Sequence, residues 1–281
     1  MQRRYLLKSL LGLTSLPLGA STLDLEAILG WFSEPEPASQ DRYIKDSLQK
    51  ARDFDRRYED DVLLPLGEHS LLASVVVRLE RLQRLVGHAN FNLLDFDSAL
   101  DYARNYTVVG AFGKTELEFI EKIFNTDATR YGFLGEKVLV KLTDRIAERD
   151  TLKISGTGHY LFRGEALRQY QRISKDVGSS VVLTSGIRGV VKQLHLFLTK
   201  VMESEGNLSQ ASRSLAPPGH SFHGVGDFDV GKAGFGADNF TARFAETDEY
   251  RRLFELGYVR IRYPEANPFG VRFEPWHVKV V

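Results

Sequence analysis

The sequence predicts an α+β protein, with a mostly helical first half and a second half in which an antiparallel sheet is flanked by helices. Up to about Asp150, apolar residues recur at spacings of three and four, the period of a helix with one buried face. Beyond Asp150 the texture changes to short alternating or apolar runs separated by glycine, as strands joined by turns require. The chain has 281 residues, 43% hydrophobic and 26% charged, the balance of an ordinary globular protein with a core large enough for one or two domains.

Arg3 and Arg4 come first, then an apolar run from Leu10 to Leu18 and the small residues Gly19, Ala20 and Ser21. That order is the layout of a secretory signal, and Arg3-Arg4-Tyr5-Leu6-Leu7-Lys8 resembles the twin-arginine export signal. The apolar run is too short to span a bilayer. Residues 1–20 are therefore expected to be an export signal and the protein to act in the periplasm or cell envelope. Loss of that segment removes Arg3, Arg4 and Lys8, leaving 34 basic against 37 acidic side chains and a formal charge of −3. Neither this nor the even balance of the whole chain sets up a field that favours nucleic acid or an anionic membrane. There is no cysteine, so a transition-metal site would have to use His, Asp or Glu.

Glu34 to Ser39 is rich in Pro, Glu and Ser and reads as a linker. Ile44, Leu48, Ala51, Phe54 and Tyr58 then predict an amphipathic helix, and Leu72, Val75, Leu79, Leu82 and Val86 a second one between Ser70 as N-cap and Gly87 as stop. Thr115 with Glu118 reads as a capping box ahead of Leu117, Ile120 and Phe124. His69 and His88 stand singly and read as surface or core filling. Residues 21–150 thus form a helical region without visible chemistry, and residues 151–281 a second domain. There, Leu167, Tyr170, Ile173 and Val177 predict a helix, and Val181 to Leu183 a buried strand entering the turn Ser185 to Gly189. Val191, Leu194, Leu198 and Val201 predict another helix, and Glu203 to Pro218 a polar loop. A strand near Phe228, a capped helix from Thr247 towards Gly257, and strands near Val259 to Tyr263 and Trp276 to Val281 complete the reading.

Four of the seven histidines, His195, His220, His223 and His277, fall in the last third. Two lie beside carboxylates, in His223-Gly224-Val225-Gly226-Asp227-Phe228-Asp229 and in Glu274-Pro275-Trp276-His277. A catalytic zinc takes three protein ligands and keeps an open position, and His223, Asp229 and His277 supply that number. Gly224 and Gly226 let the backbone turn between His223 and the aspartates. Asp227 is the alternative ligand; whichever aspartate is free of the metal could orient a ligand histidine through its other ring nitrogen. Pro275 makes the Glu274 to His277 segment a loop entering a strand, in contrast to a helical His-Glu-x-x-His. A carboxylate beside the ion, here Glu274, can move a proton from water to a leaving amine.

Together these groups resemble the LAS metallopeptidases, named for lysostaphin, D-alanyl-D-alanine metallopeptidases and sonic hedgehog. Their pattern runs Ser-x-His, then Gly and Asp, then Glu-x-x-His. Ser221-x-His223-x-x-Gly226 and Glu274-Pro275-Trp276-His277 follow it, and Ser185-Gly186-Ile187-Arg188 with Gln193 is similar to a Ser-Gly-Tyr-Arg-Ser…Gln segment of VanY-type carboxypeptidases. The resemblance implies a LAS/hedgehog-like zinc peptidase fold for 151–281 and Zn2+ on His223, Asp229 and His277. It implies Glu274 as general base and acid, and Arg188 as partner of the oxyanion or of the substrate carboxylate. Ser185, Gln193 and Ser221 would bind the peptide. The implied activity is hydrolysis of peptidoglycan stem peptides by a D,D-carboxypeptidase, with an L,D-carboxypeptidase, an endopeptidase or a non-catalytic cell-wall-binding module as alternatives. The segment after Gly226 is one residue shorter than the family pattern, and Ile187 and Gly189 replace an aromatic and a serine.

Overall fold

The computed structural model describes residues 37–258 and 262–281. The expected export signal, 1–20, lies outside the described residues, as do positions 34–36 of the expected linker and 259–261 of the expected strand near Val259 to Tyr263. Helix α1 (Pro37–Arg52) starts inside the expected linker, since a proline in the first turn costs a helix no hydrogen bond, and it stops before Phe54 and Tyr58. Helix α2 (His69–Val86) buries Leu72, Val75, Val76, Leu79 and Leu82 and ends at Gly87, whose φ is 83°. Ser70 lies within its first turn and does not cap it. Helix α3 (Phe96–Asn105) is capped by Asp95, whose carboxylate accepts from the Ser98 N–H at 3.0 Å.

Helix α4 (Lys114–Asn125) corrects the expected capping pair. The Glu116 carboxylate, and not that of Glu118, accepts from the Gly113 N–H at 2.8 Å. Glu116 is drawn inward because Ser74 and Arg78 of α2 also donate to it, while Glu118 stays in solvent opposite Lys114.

The second half opens with an antiparallel hairpin, β1 (Thr151–Ile154) and β2 (His159–Phe162). Helix α5 (Glu165–Val177), strand β3 (Val181–Ser185) and helix α6 (Val190–Glu203) follow. The expected polar loop then contains helix α7 (Leu208–Ser214). Its sequence has only two apolar residues, Leu208 and Ala211, so periodicity misses it. What forms the helix is the Asn207 cap on the Gln210 N–H and a buried pair in which Arg213 meets both oxygens of Asp61 at 2.7 and 3.1 Å. Strand β4 (Phe228–Lys232), helix α8 (Asp248–Glu255) capped by Thr247, and strand β5 (His277–Val278) complete the chain order. The strand expected from Trp276 to Val281 is thus two residues long.

β3, β4 and β5 form one antiparallel sheet in that order. One face packs Leu183, Phe228, Val230 and Val278 against Ile173 of α5 and Leu253 of α8. A second core joins Leu79 of α2 and Ile120 of α4 to Leu194, Phe197 and Leu198 of α6 and Ala211 of α7. Packing therefore does not divide the chain at residue 150, and residues 44–281 form one compact unit. Among the described residues no helix is long and apolar enough to cross a membrane.

Candidate metal centre

Strand register places the candidate ligands. Asp229 pairs with Ser185 on one side and with His277 on the other, so one row across three strands reads Ser185, Asp229, His277. Asp229 alternates with Phe228 and Val230, whose side chains enter the sheet core, and so it points to the opposite face. Ser185 is two residues beyond the core residue Leu183 and by strict alternation would share its face. A register shift between them, with Leu183 opposite Val230 and Ser185 opposite Asp229, moves Ser185 to the ligand side.

His223 arrives from a 3-10 turn, Phe222–Gly224. Gly226 carries the chain from this turn into β4 with φ at 146°, a conformation that a side chain would strain. Gly224 serves differently from the sequence expectation: its φ is not positive, and a Cβ there would lie 2.7 Å from Leu139 Cδ1.

His223 Nε2, Asp229 Oδ1 and His277 Nδ1 converge. The first two are 3.2 Å apart and the last two 3.4 Å, and the three residues offer one ligand atom each within 4.8 Å of one another. Ligands of a tetrahedral ion with bonds of about 2.0–2.1 Å sit about 3.4 Å apart. The neighbours fix both imidazole tautomers. His223 Nδ1 donates to the Gly186 carbonyl at 2.7 Å, and His277 Nε2 donates to the Asp227 carboxylate at 3.0 Å, so each ring turns a lone pair to the same point. His223 Nε2 and Asp229 Oδ1 are buried with no hydrogen-bond partner, a costly arrangement that a cation would resolve. The residues fit a divalent metal with nitrogen and oxygen ligands.

Asp227 sits behind His277. It also receives Arg262 Nε at 2.5 Å and the Val280 N–H at 2.8 Å. Burial would raise its pKa, but His277, Arg262 and Val280 outweigh it and hold it at about 2. Asp229 is likewise held below the carboxylate range: burial opposes ionisation, and His223, Arg188 and His277 overcome it. Burial and Arg188 push His223 down. For His277, burial is outweighed by Asp227 and Asp229, and its pKa rises.

Glu274 Oε2 lies 3.6 Å from His277 Nδ1, with its pKa raised by burial against the opposing charges of Arg272 and His277. Arg188 Nε donates to Ser185 Oγ at 2.8 Å and Nη2 to Asp229 Oδ2 at 2.5 Å. Ser221 is the residue before the His223 turn and is buried. Gln193 is set back: its amide donates to the Ala216 carbonyl at 2.5 Å and its Oε1 is buried without a partner. The structure thus brings His223, Asp229, His277, Glu274, Arg188 and Ser185 together, with Asp227 behind them. His195 and His220 stay out. His195 stacks edge-on to Phe91, and His220 donates to the Gly135 carbonyl.

Sequence reasoning missed Arg262, Tyr263 and His159. Tyr263 packs edge-on to His277 with centroids 5.1 Å apart. His159 lies on β2, which runs beside the Ser185 to Arg188 turn: the Ile187 N–H donates to the Tyr160 carbonyl at 2.8 Å, and a Cβ on Gly186 would lie 2.1 Å from that oxygen. Gly186 itself is the mark that this approach leaves in the sequence, since it has no left-handed φ to explain a glycine there. Cavities of about 500 Å³ beside Asp46 and Lys50 and about 240 Å³ beside Leu94 and Tyr102 are lined by none of these residues.

Residues 163–281 match the model of the VanY family, described as D-alanyl-D-alanine carboxypeptidase. None of the curated proteins matches the chain. Similar solved structures include the LdcB LD-carboxypeptidase, at 20% identity over 46% of this chain and 62% of that one, TM-score 0.37. A mutant of the vancomycin-resistance D,D-pentapeptidase VanY from a VanB-type cassette, in complex with Zn(II), is 26% identical over 46% and 76% of the two chains, TM-score 0.36. VanYB in complex with D-alanine-D-alanine is 23% identical over 53% and 84%, TM-score 0.39. The chain spans less than two-thirds of the LD-carboxypeptidase.

Proposed function

We propose that this chain, whose residues 163–281 form a VanY-family domain, is a zinc carboxypeptidase that trims the stem peptides of peptidoglycan, releasing a terminal D-alanine. The observation that carries the reading is the convergence of His223 Nε2, Asp229 Oδ1 and His277 Nδ1, two of them buried without partners, beside the Glu274 carboxyl. His223, Asp229 and His277 would hold the metal. Zinc bound there supplies Lewis-acid polarisation of water and of the scissile carbonyl.

The protein's own groups do the rest. Glu274 takes a proton from the attacking water as its oxygen bonds to the carbonyl carbon, and returns it to the nitrogen as the C–N bond breaks, so that the amine leaves neutral. A burial-raised pKa suits a group that must work in both directions. Arg188 is anchored through Nε and Nη2. Nη1 has no protein hydrogen bond among the described residues, which leaves it to meet the oxyanion or the substrate carboxylate. Ser185 fixes Arg188, Ser221 borders the His223 turn, and Gln193, set back in α6, holds the Ala216 carbonyl. Residues 1–20 serve as the export signal that brings the domain to its substrate, and the helices before residue 150 brace it through the shared core.

The test is digestion of purified muropeptides by the zinc-loaded protein, with products identified by mass. Loss of one alanine from pentapeptide stems is the expected result. Loss from tetrapeptides instead would make it an L,D-carboxypeptidase, and cleavage of cross-linked dimers an endopeptidase. Binding without cleavage would make it a non-catalytic module.

A further inference from the structure

We propose that Arg262 is a positioning residue for the metal centre, tying together the three segments that carry the ligands and setting the ring of His277 through Asp227. The inference rests on the metal-binding part of the function proposed above. It concerns a residue outside both motifs.

Arg262 touches each ligand-bearing segment. Its guanidinium lies 3.4 Å from the centroid of Phe222, the neighbour of His223. Nε donates to Asp227 Oδ2 at 2.5 Å and Nη2 to Oδ1 at 3.4 Å, at the entry to the strand of Asp229. Nη2 also donates to the Val281 carbonyl, beyond the strand of His277. The side chains of Arg262 and Asp227 are 6% and 0% exposed, so this pair is held out of water, where a fork of fixed geometry discriminates strongly.

The donors that reach Asp227 decide its role. Arg262 Nε and His277 Nε2 share Oδ2, while the N–H groups of Val280 and Val281 and Arg262 Nη2 reach Oδ1. A carboxylate so fully engaged has no lone pair directed at a metal, which leaves Asp229 as the carboxylate ligand. By accepting from His277 Nε2, Asp227 Oδ2 keeps that proton on Nε2 and turns Nδ1 to the ion. Without Arg262 that charge would be buried beside a second carboxylate, and ring and strand would lose their fixed relation.

The experiment measures zinc affinity by competition with a chromophoric chelator, and the visible spectrum of the cobalt-substituted protein, for the parent, Arg262→Gln, Arg262→Lys and Asp227→Asn. Each variant is expected to bind zinc ~10–100-fold more weakly and to shift the cobalt bands, with Lys failing to rescue because it lacks the fork. A merely structural arginine would lower the melting temperature of the metal-free protein and leave affinity and spectrum of the folded fraction at parent values. That outcome overturns the proposal. Should the Arg262 variants not fold, 15N–1H NMR of the parent's imidazoles decides: a proton on His277 Nε2 is expected, and a proton on its Nδ1 overturns it. A parent that binds zinc but cleaves no muropeptide sinks the proposed activity and leaves this assignment standing. A parent that binds no zinc overturns both.

Discussion

Replacing Glu274 by alanine tests the proposed chemistry most directly, because the carboxyl stands beside the proposed ligands and is assigned proton transfer instead of metal binding. Its Oε2 is 3.6 Å from His277 Nδ1, and the convergent ligand atoms belong to His223, Asp229 and His277. Zinc content of Glu274→Ala should therefore equal that of the parent. Losing a positioned acid or base costs about 10²–10⁴ in rate, or about 2.7–5.4 kcal/mol at about 1.36 kcal/mol per decade. The upper end is expected, because one carboxyl serves both proton transfers and the bulk water that could replace it is nearly excluded, Glu274 being 9% exposed. Stability should hold or rise slightly, since the variant no longer buries a carboxyl whose ionised form is disfavoured there. The assay is the initial rate of D-alanine release from pentapeptide muropeptide at matched zinc occupancy, with metal content measured in parallel. A variant that cleaves as fast as the parent refutes the assigned mechanism, and one that loses its zinc shows that Glu274 holds the metal.

Chelation of the parent should abolish turnover and lower the melting temperature, and zinc restored to about a thousand times its Kd should add about 4 kcal/mol by mass action; calorimetry with and without chelator reads this. Asp61→Asn should destabilise by about 3–5 kcal/mol in urea melts, because Arg213 would keep a buried charge without its partner. Burial alone would raise the Asp61 pKa, but Arg213, the Tyr58 N–H and Asn207 hold it below the ordinary 3.8. Its contribution is therefore complete above pH 3.8 and is lost as pH falls through the lower folded value, so the parent's melting temperature should fall more steeply on acidification than the variant's. Gly186→Ala puts a Cβ 2.1 Å from the Tyr160 carbonyl, which parts β2 from the Arg188 turn and costs at least about 2 kcal/mol. A denaturation midpoint equal to the parent's would contradict that close approach.

Much of this architecture was legible because its signals are local. The spacing of Val191, Leu194, Leu198 and Val201 finds α6, and the texture change near Asp150 marks where strands begin. The metal motifs announce themselves because histidine beside carboxylate at short spacing has few bland uses, and the structure brings His223, Asp229 and His277 to one point. What was not legible depends on distant partners. α7 depends on Asp61, which lies 152 residues before Arg213. The α4 cap shifts to Glu116 because Ser74 and Arg78 compete for that carboxylate. The register shift after Leu183 leaves no mark on composition, and Arg262, on the polar side of the alternating run Val259 to Tyr263, reads from the pattern alone as one more outward-facing charge.

The row Ser185, Asp229, His277 also governs when the centre can exist. Asp229 must pair with residues well before and well after it in the chain, and such non-local pairings are slow to form, because loop closure precedes any return from the contact. A nascent or stalled chain that has made β3 and β4 but not β5 presents an imidazole and a carboxylate and lacks the third donor. Metal captured at that stage would be loosely held, and tight retention would report that the last strand has docked. Ion binding at the proposed centre would thus be a record of completed folding.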